Sequence, residues 1–379
     1  MSFESGQVED LIKRGLAAGA FPGAVAFWGR PGAVPSRAWA GQRGLSRNRQ
    51  AVSPDLIYDL ASLSKVLATT SLAMILHQRG RLDLDRPLAD SPLPALAAGQ
   101  AGSGADWRRL TPSHLLSHQS GLRPWRPLYR LAGASLAERR LAALRAIWAE
   151  RPQAAPGQRS LYSDLNFILL GFLLEELEGQ SLETLFNREL ARPLALSRAG
   201  FRPRSGPLAP TEDGFRYGGP VAHPEALWRG PTPLGRPHDD NAAWLGGAAG
   251  HAGLFAPAAD LWALAADWAL AWRSGRGLVF QRETLAHFIR TRPSAEDSGR
   301  PLGFNLAGAV EALAGSVFPA GAVGHLGYTG TSLWWDREKD FLWIFLSNRV
   351  HLRAWNPAWE PAAYLGGPKR KNWTSPADK

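Results

Sequence analysis

A serine followed three residues later by a lysine is the first place in this chain where residue types and spacing can do covalent chemistry. The pair stands in Tyr58-Asp-Leu-Ala-Ser62-Leu-Ser-Lys65-Val-Leu-Ala-Thr-Thr. Polar, turn-prone residues end at Ser62 and an apolar helical pattern begins, so Ser62 reads as a helix start with Lys65 one turn later on the same face. A hydroxyl there lies near the positive end of the helix dipole, which favours a developing alkoxide. An amine at i+3 can take the hydroxyl proton if burial lowers its pKa. Composition sharpens the pattern. The lysines are Lys13, Lys65, Lys339, Lys369, Lys371 and Lys379, and every other side-chain cation outside histidine is Arg. Arg is always protonated and cannot serve as a base, whereas Lys can. One lysine kept in a long Arg-only stretch, beside a helix-starting serine, is what activation of a nucleophile requires.

Two further groups carry chemistry. In Tyr162-Ser163-Asp164, a tyrosine at the end of a loop can shuttle a proton if a cation lowers its pKa, and Asp164 can hold Lys65 or a substrate amide. The same residues also read as a core Tyr and a helix-capping Asp. In Gly324-His325-Leu326-Gly327-Tyr328-Thr329-Gly330-Thr331, glycines on a strand mark a close approach of ligand or backbone. Free N–H groups on such an edge can pair with an extended substrate and donate to an oxyanion. A bulged strand end with a half-buried histidine is the plainer alternative.

Other groups read as structural. Gly246-Gly-Ala-Ala-Gly-His251-Ala-Gly253 matches no phosphate-loop spacing and has no Lys. His238-Asp239-Asp240-Asn241 reads as an Asp-rich turn before a helix, and no metal site is expected. His114 and His118 read as neighbours on one helix face, without the Glu between them that a zinc protease needs. The sixteen Trp suggest aromatic-walled surfaces for sugars or peptides, but most are expected in the core.

The elements that must position these groups follow from periodicity. Val8, Leu11, Ile12 and Leu16 mark a helix ending at Gly19, and residues 24–28 and 36–40 flank Arg30-Pro-Gly32 as a hairpin. The helix carrying Ser62 and Lys65 stops near Gly80, and a Pro-broken loop follows. Thr111 caps a short helix with Pro112 at its first position. Helices are expected over 136–150, after Tyr162-Ser163-Asp164-Leu-Asn166 through Leu177, and over 181–190, 258–272 and 281–290. Residues 199–241 are irregular, and strands return at 321–328, 332–336 and 341–347. Strands at both ends imply one antiparallel sheet from N- and C-terminal segments, flanked by helices, with a mainly helical lobe inserted. One domain over residues 1–355 is expected, its sheet lobe from about 1–80 and 300–350, followed by an irregular basic tail at 356–379.

At 379 residues the chain can bury a large core. Its formal charge of +10 is spread as Arg among acidic and apolar residues, so nucleic acid is not an expected partner. Cys is absent, which excludes thiolate chemistry and disulfides. No run of eighteen apolar residues occurs, so no membrane span is expected. The first residues carry no signal-peptide pattern, so the chain reads as cytoplasmic as written, or periplasmic if a leader was removed.

Ser62-x-x-Lys65, Tyr162-Ser-Asp164 and His325-x-Gly327, in this order, resemble the three motifs of the serine β-lactamase and penicillin-binding-protein superfamily. The likeness is to its class C β-lactamase-like branch, which includes DD-carboxypeptidases and family VIII carboxylesterases. Leu115-Leu-Ser-His118-Gln-Ser-Gly121, Pro156-Gly157, Gly250-His-Ala-Gly-Leu-Phe255 and Ser347-Asn-Arg349 extend the resemblance over roughly residues 8–351. It implies an α/β (α+β) β-lactamase/transpeptidase-like fold and an acyl-enzyme on Ser62, with no cofactor. Lys65 and Tyr162 would share the serine proton, and the backbone N–H groups of Ser62 and Tyr328 would form the oxyanion hole. The strand from His325 through Gly327 to Tyr328 would dock a small ester, peptide or lactam, with Asp164 beside it. Asp164 stands where the family commonly has Asn, and His325 where β-lactamases usually have Lys. An anion at 164 would hold Lys65 charged more firmly and reject carboxylated substrates more strongly, and the missing cation at 325 shifts weight from lactams toward an esterase or peptidase-like hydrolase. The competing class is a catalytically silent penicillin- or muropeptide-binding sensor, and a third is Trp-lined glycan binding without catalysis.

Overall fold

A computed structural model describes residues 4–44, 50–93, 109–203, 206–212, 232–310 and 318–351. Its main sheet has six antiparallel strands in the order β2-β1-β9-β8-β7-β6. These are β1 (Gly23–Gly29), β2 (Ser36–Gly41), β6 (Asn305–Leu306), β7 (Val323–Gly327), β8 (Thr331–Asp336) and β9 (Phe341–Ser347). The sheet therefore draws on both ends of the chain, as the strand distribution implied. Its central seam joins the two ends: Val25 faces Leu346 and Phe27 faces Ile344 across β1 and β9.

β1 reads as continuous apolar text because both faces are covered. Val25 and Phe27 join the main core with Leu261 and Leu264 of the helix Ala258–Ser274. Ala24, Ala26 and Trp28 join Val8 and Ile12 of the N-terminal helix Ser5–Ala17 on the opposite face. The period of two thus sends alternate residues into two separate cores.

The inserted lobe is built round the helix Asp164–Glu178, whose residues Leu165 to Glu175 are all buried. A helix apolar on every side belongs inside a lobe rather than on its surface. Ser181 caps Leu182–Phe186, and Ser135 caps Leu136–Trp148 through a reciprocal bond with Glu138. The nucleophile-bearing helix is also wholly buried from Lys65 to Leu76, not amphipathic. Its first stretch, Lys65–Thr70, is π-helical and passes into ordinary α-helix at Ser71–Gln78. Such bulges are frequent at functional sites.

A second sheet, in the order β3-β5-β4, was not foreseen: β3 is Tyr58–Asp59, β4 is Gly200–Phe201 and β5 is Leu254–Ala256. Strands of two or three residues are too short to show a period. One reading is corrected: the helix Pro112–Leu116 ends before His118, so His114 and His118 do not share a helix face. His118 instead has φ +58°. The proposed tail at 356–379 lies outside the described residues. No helix among the described residues is long and apolar enough to cross a membrane.

Candidate active site

The turn before Ser62 is held by a buried carboxylate. Asp59 Oδ1 accepts the Ala61 N–H at 2.9 Å, and Oδ2 accepts the His238 N–H at 2.7 Å. Ala61 has φ +45°, a conformation a non-glycine residue adopts at a cost. Ser62 follows, partly exposed, with Lys65 fully buried behind it. Lys65 Nζ lies 2.9 Å from Ser62 Oγ, 2.8 Å from Asp164 Oδ1 and 3.1 Å from the His251 carbonyl oxygen. An ammonium has three protons, and here four oxygens compete for them, the Tyr162 hydroxyl being the fourth. Burial opposes charge on Lys65, but Asp164 and the Tyr162 phenolic group outweigh it and hold the amine above its ordinary range. Burial alone would have lowered it, as the isolated Ser-x-x-Lys pattern requires. The anion at position 164 reverses the sign.

Tyr162 packs its ring 5.1 Å from Lys65 Nζ. The segment is pinned by its neighbours: the Ser163 N–H donates to His118 Nδ1 at 3.0 Å and Ser163 Oγ to the Arg123 carbonyl at 2.6 Å. The Asp164 N–H donates to the Pro124 carbonyl at 2.8 Å, so Asp164 opens its helix while its carboxylate turns to Lys65. His118 lies with its ring 4.5 Å from that of Tyr162. Burial, then the charges of Arg300 and Lys65, push its pKa well down, so at neutral pH it accepts the Ser163 bond as a neutral imidazole.

β7 brings the third group. The His325 ring lies 6.1 Å from that of Tyr162. Burial, with the Lys65 charge adding to it, lowers His325 to about 3, so it is neutral across the neutral range. The end of β7 is stitched to the nucleophile turn: Thr329 Oγ1 donates to the Asp59 carbonyl at 2.6 Å and Thr331 Oγ1 to the Leu60 carbonyl at 3.1 Å. Gly327 is required there, since a Cβ would stand 2.1 Å from Thr331 Oγ1 and 2.4 Å from the Leu60 oxygen. Among the described residues, neither the Ser62 nor the Tyr328 backbone N–H has a hydrogen-bond partner. The Tyr328 ring is half exposed between the His238 ring at 5.7 Å and the Arg349 guanidinium at 4.6 Å.

All the residues singled out from sequence, Ser62, Lys65, Tyr162, Asp164, His325, Gly327 and Tyr328, fall in this one region. Sequence reading missed three. Arg300 lies with its guanidinium carbon 5.8 Å from the Tyr162 ring and donates to Asn305 Oδ1 at 2.9 Å. No carboxylate among the described residues forms an ion pair with it, and its charge acts on both His118 and His325. The site thus has a fixed cation after all, supplied by a loop rather than by position 325. In an Arg-rich chain nothing in sequence distinguishes that one. The other two, Asp239 and His251, stand in a turn read as capping a helix and in a Gly-rich stretch that extends the family resemblance, but neither was singled out as a site residue. Asp239 does cap the helix Asp240–Trp244, and its Oδ1 also lies 2.8 Å from His251 Nε2. Among the described residues no cluster suited to a metal ion occurs.

The Beta-lactamase family model matches residues 8–365. A curated relative, the "Putative D-alanyl-D-alanine carboxypeptidase" of Escherichia coli strain K12, is 30% identical over 324 residues, covering 82% of this chain and 73% of that protein. Among solved structures, "EstCE1, a hydrolase with promiscuous acyltransferase activity" has a TM-score of 0.70 at 22% identity and covers 94% of this chain and 97% of its own. The octameric penicillin-binding protein homologue from Pyrococcus abyssi has a TM-score of 0.67 at 20% identity, covering 96% and 76%. At these identities the structures establish the shared fold, while the family model and the curated relative establish kinship. With its serine, lysine, tyrosine and histidine converging as described, the chain belongs to the β-lactamase family of serine hydrolases.

Proposed function

We propose that this protein hydrolyses esters or D-amino-acid peptide bonds through an acyl-enzyme on Ser62. The observation that carries this is the 2.9 Å contact of Ser62 Oγ with a buried lysine against which Tyr162 is packed. Ser62 Oγ attacks the substrate carbonyl carbon, and its proton passes to the Lys65–Tyr162 pair. The oxyanion forms between the Ser62 and Tyr328 N–H groups, which are free to receive it. As the tetrahedral intermediate collapses, the pair returns the proton to the leaving alcohol or amine. Water then attacks the acyl group by the reverse proton route and frees Ser62. The Lys65–Tyr162 pair must release one proton before it can accept another, and Asp164 makes that release costly. Productive turnover therefore rises with pH toward the alkaline side.

Arg300 supports a narrower substrate class. A guanidinium that forms no ion pair with a carboxylate among the described residues, beside Tyr162 and a neutral His325, suits a carboxylate near the scissile bond, as on the C-terminal residue of a D-amino-acid peptide. The name of the Escherichia coli relative points the same way. The test is turnover of a nitrophenyl ester and of an acylated D-Ala-D-Ala dipeptide by wild type and Ser62→Ala. Turnover of either that disappears in Ser62→Ala is expected. No turnover of either, with ligand binding retained in both proteins, would instead identify a silent sensor.

A further inference from the structure

One acceptor of Lys65 is a backbone carbonyl with an unusual mounting. His251 lies in a tight turn in which Ala249 and Ala252 exchange backbone bonds at 3.3 Å. The turn is wedged between two buried helices. The neighbouring Gly250 carbonyl accepts from Thr69 Oγ1, on the Lys65 helix, at 2.6 Å. On the other side, a Cβ at Gly250 would stand 1.9 Å from the Phe167 carbonyl oxygen. The His251 side chain does not face solvent: it is 1% exposed, its Nε2 meets Asp239 Oδ1 and its Nδ1 has no partner among the described residues. Asp239 is fixed in turn, because Oδ1 also accepts the Ala242 N–H at 2.7 Å and the adjacent His238 N–H donates to Asp59, the residue that holds the turn before Ser62.

We infer that Asp239 and His251 are positioning residues: their clasp fixes the carbonyl to which Lys65 Nζ donates at 3.1 Å, with the partly exposed Asp239 carboxylate behind it, so that together they set how the lysine holds its proton. This rests on the Ser62–Lys65 reading above. The charged and titratable groups facing the lysine are then Asp164 and Tyr162 from the segment opening the Asp164–Glu178 helix, His118 from the loop after Pro112–Leu116, and His325 from β7. Arg300 flanks the cluster from its loop, and Asp239 and His251 complete it. Asp239 and Lys65 stabilise each other's charge, so neutralising one loosens the other.

The test compares Asp239→Asn, His251→Gln and His251→Leu with wild type by ester turnover against pH, with thermal melting alongside. Asn is as good a helix cap as Asp and preserves the fold of the turn. In Asp239→Asn the alkaline-rising limb of kcat/KM is expected to move to lower pH, through loss of one nearby charge. Glutamine keeps a donor for Asp239, so His251→Gln is expected to stay within about threefold of wild type in kcat, and His251→Leu to fall at least about tenfold with KM little changed. An unmoved limb in Asp239→Asn, or equal losses in the Gln and Leu variants, would overturn the inference in favour of a purely structural role. Ser62→Ala measured in parallel separates the two levels: residual turnover there rejects the active-site reading, whereas a dead Ser62→Ala with an unmoved limb in Asp239→Asn rejects the positioning role alone.

Discussion

The Lys65–Asp164 ion pair is the residue-scale decision in this site. Ser62 and Lys65 were legible because one lysine stands in a long stretch of arginines, a difference of chemistry that composition exposes. The state of that lysine was not legible, since it depends on which groups the fold brings within 3 Å. Asp164→Asn should remove the main electrostatic support of the ammonium and move the alkaline-rising limb of the pH–rate profile to lower pH. The same change should cost about 3 kcal/mol at pH 7, measured by denaturant unfolding, because a buried charge loses its partner. The sign for stability follows: Lys65 is raised above 10.5, so its contribution is full below that value and is lost only as pH rises through the folded value. Arg300 was illegible for the opposite reason, as one of many arginines. Arg300→Gln should raise KM for substrates with a free carboxylate about tenfold or more and leave neutral esters within about twofold. Equal effects on both substrate classes would remove Arg300 from recognition.

At the scale of elements, the helices and long strands were readable because their periods extend over many residues. That terminal strands share one sheet was readable, but the short sheet of β3, β5 and β4 and the seating of β1 directly against β9 were not, because short strands show no period and strand order leaves no local mark. Glycines make the difference between elements that lie near each other and elements that close a site. A Cβ at Gly327 would push β7 away from the Leu60 carbonyl and so from the nucleophile turn. Gly327→Ala should lower kcat at least about a hundredfold, since donors aimed at a transition state lose their value when displaced. Gly250→Ala, blocked by the Phe167 carbonyl, should destabilise the protein by about 1–3 kcal/mol in denaturant melts. An unchanged melt would show that the turn can shift aside without loss.

For the whole molecule, the site lies where the terminal sheet and the inserted helices meet, and Lys65, His118 and His325 are buried there together. That has a consequence for acid stability. His325 is lowered from 6.5 to about 3, and His118 is lowered as well, both by burial first. The unfolded chain therefore binds protons that the folded chain refuses, and stability, complete above about pH 6.5, should fall as pH drops toward 3. The slope should approach about 1.4 kcal/mol per pH unit for each histidine. Flat denaturation midpoints between pH 6.5 and 5 would contradict the burial of these rings as charge-free groups. The account as a whole stands on covalent chemistry at one hydroxyl, and intact-protein mass spectrometry tests it directly. Incubation with a fluorescent penicillin or an activated ester should add the mass of one acyl group, on the peptide containing Ser62, and none in Ser62→Ala. A folded wild type that gains no mass, or an adduct that persists in Ser62→Ala, would contradict it.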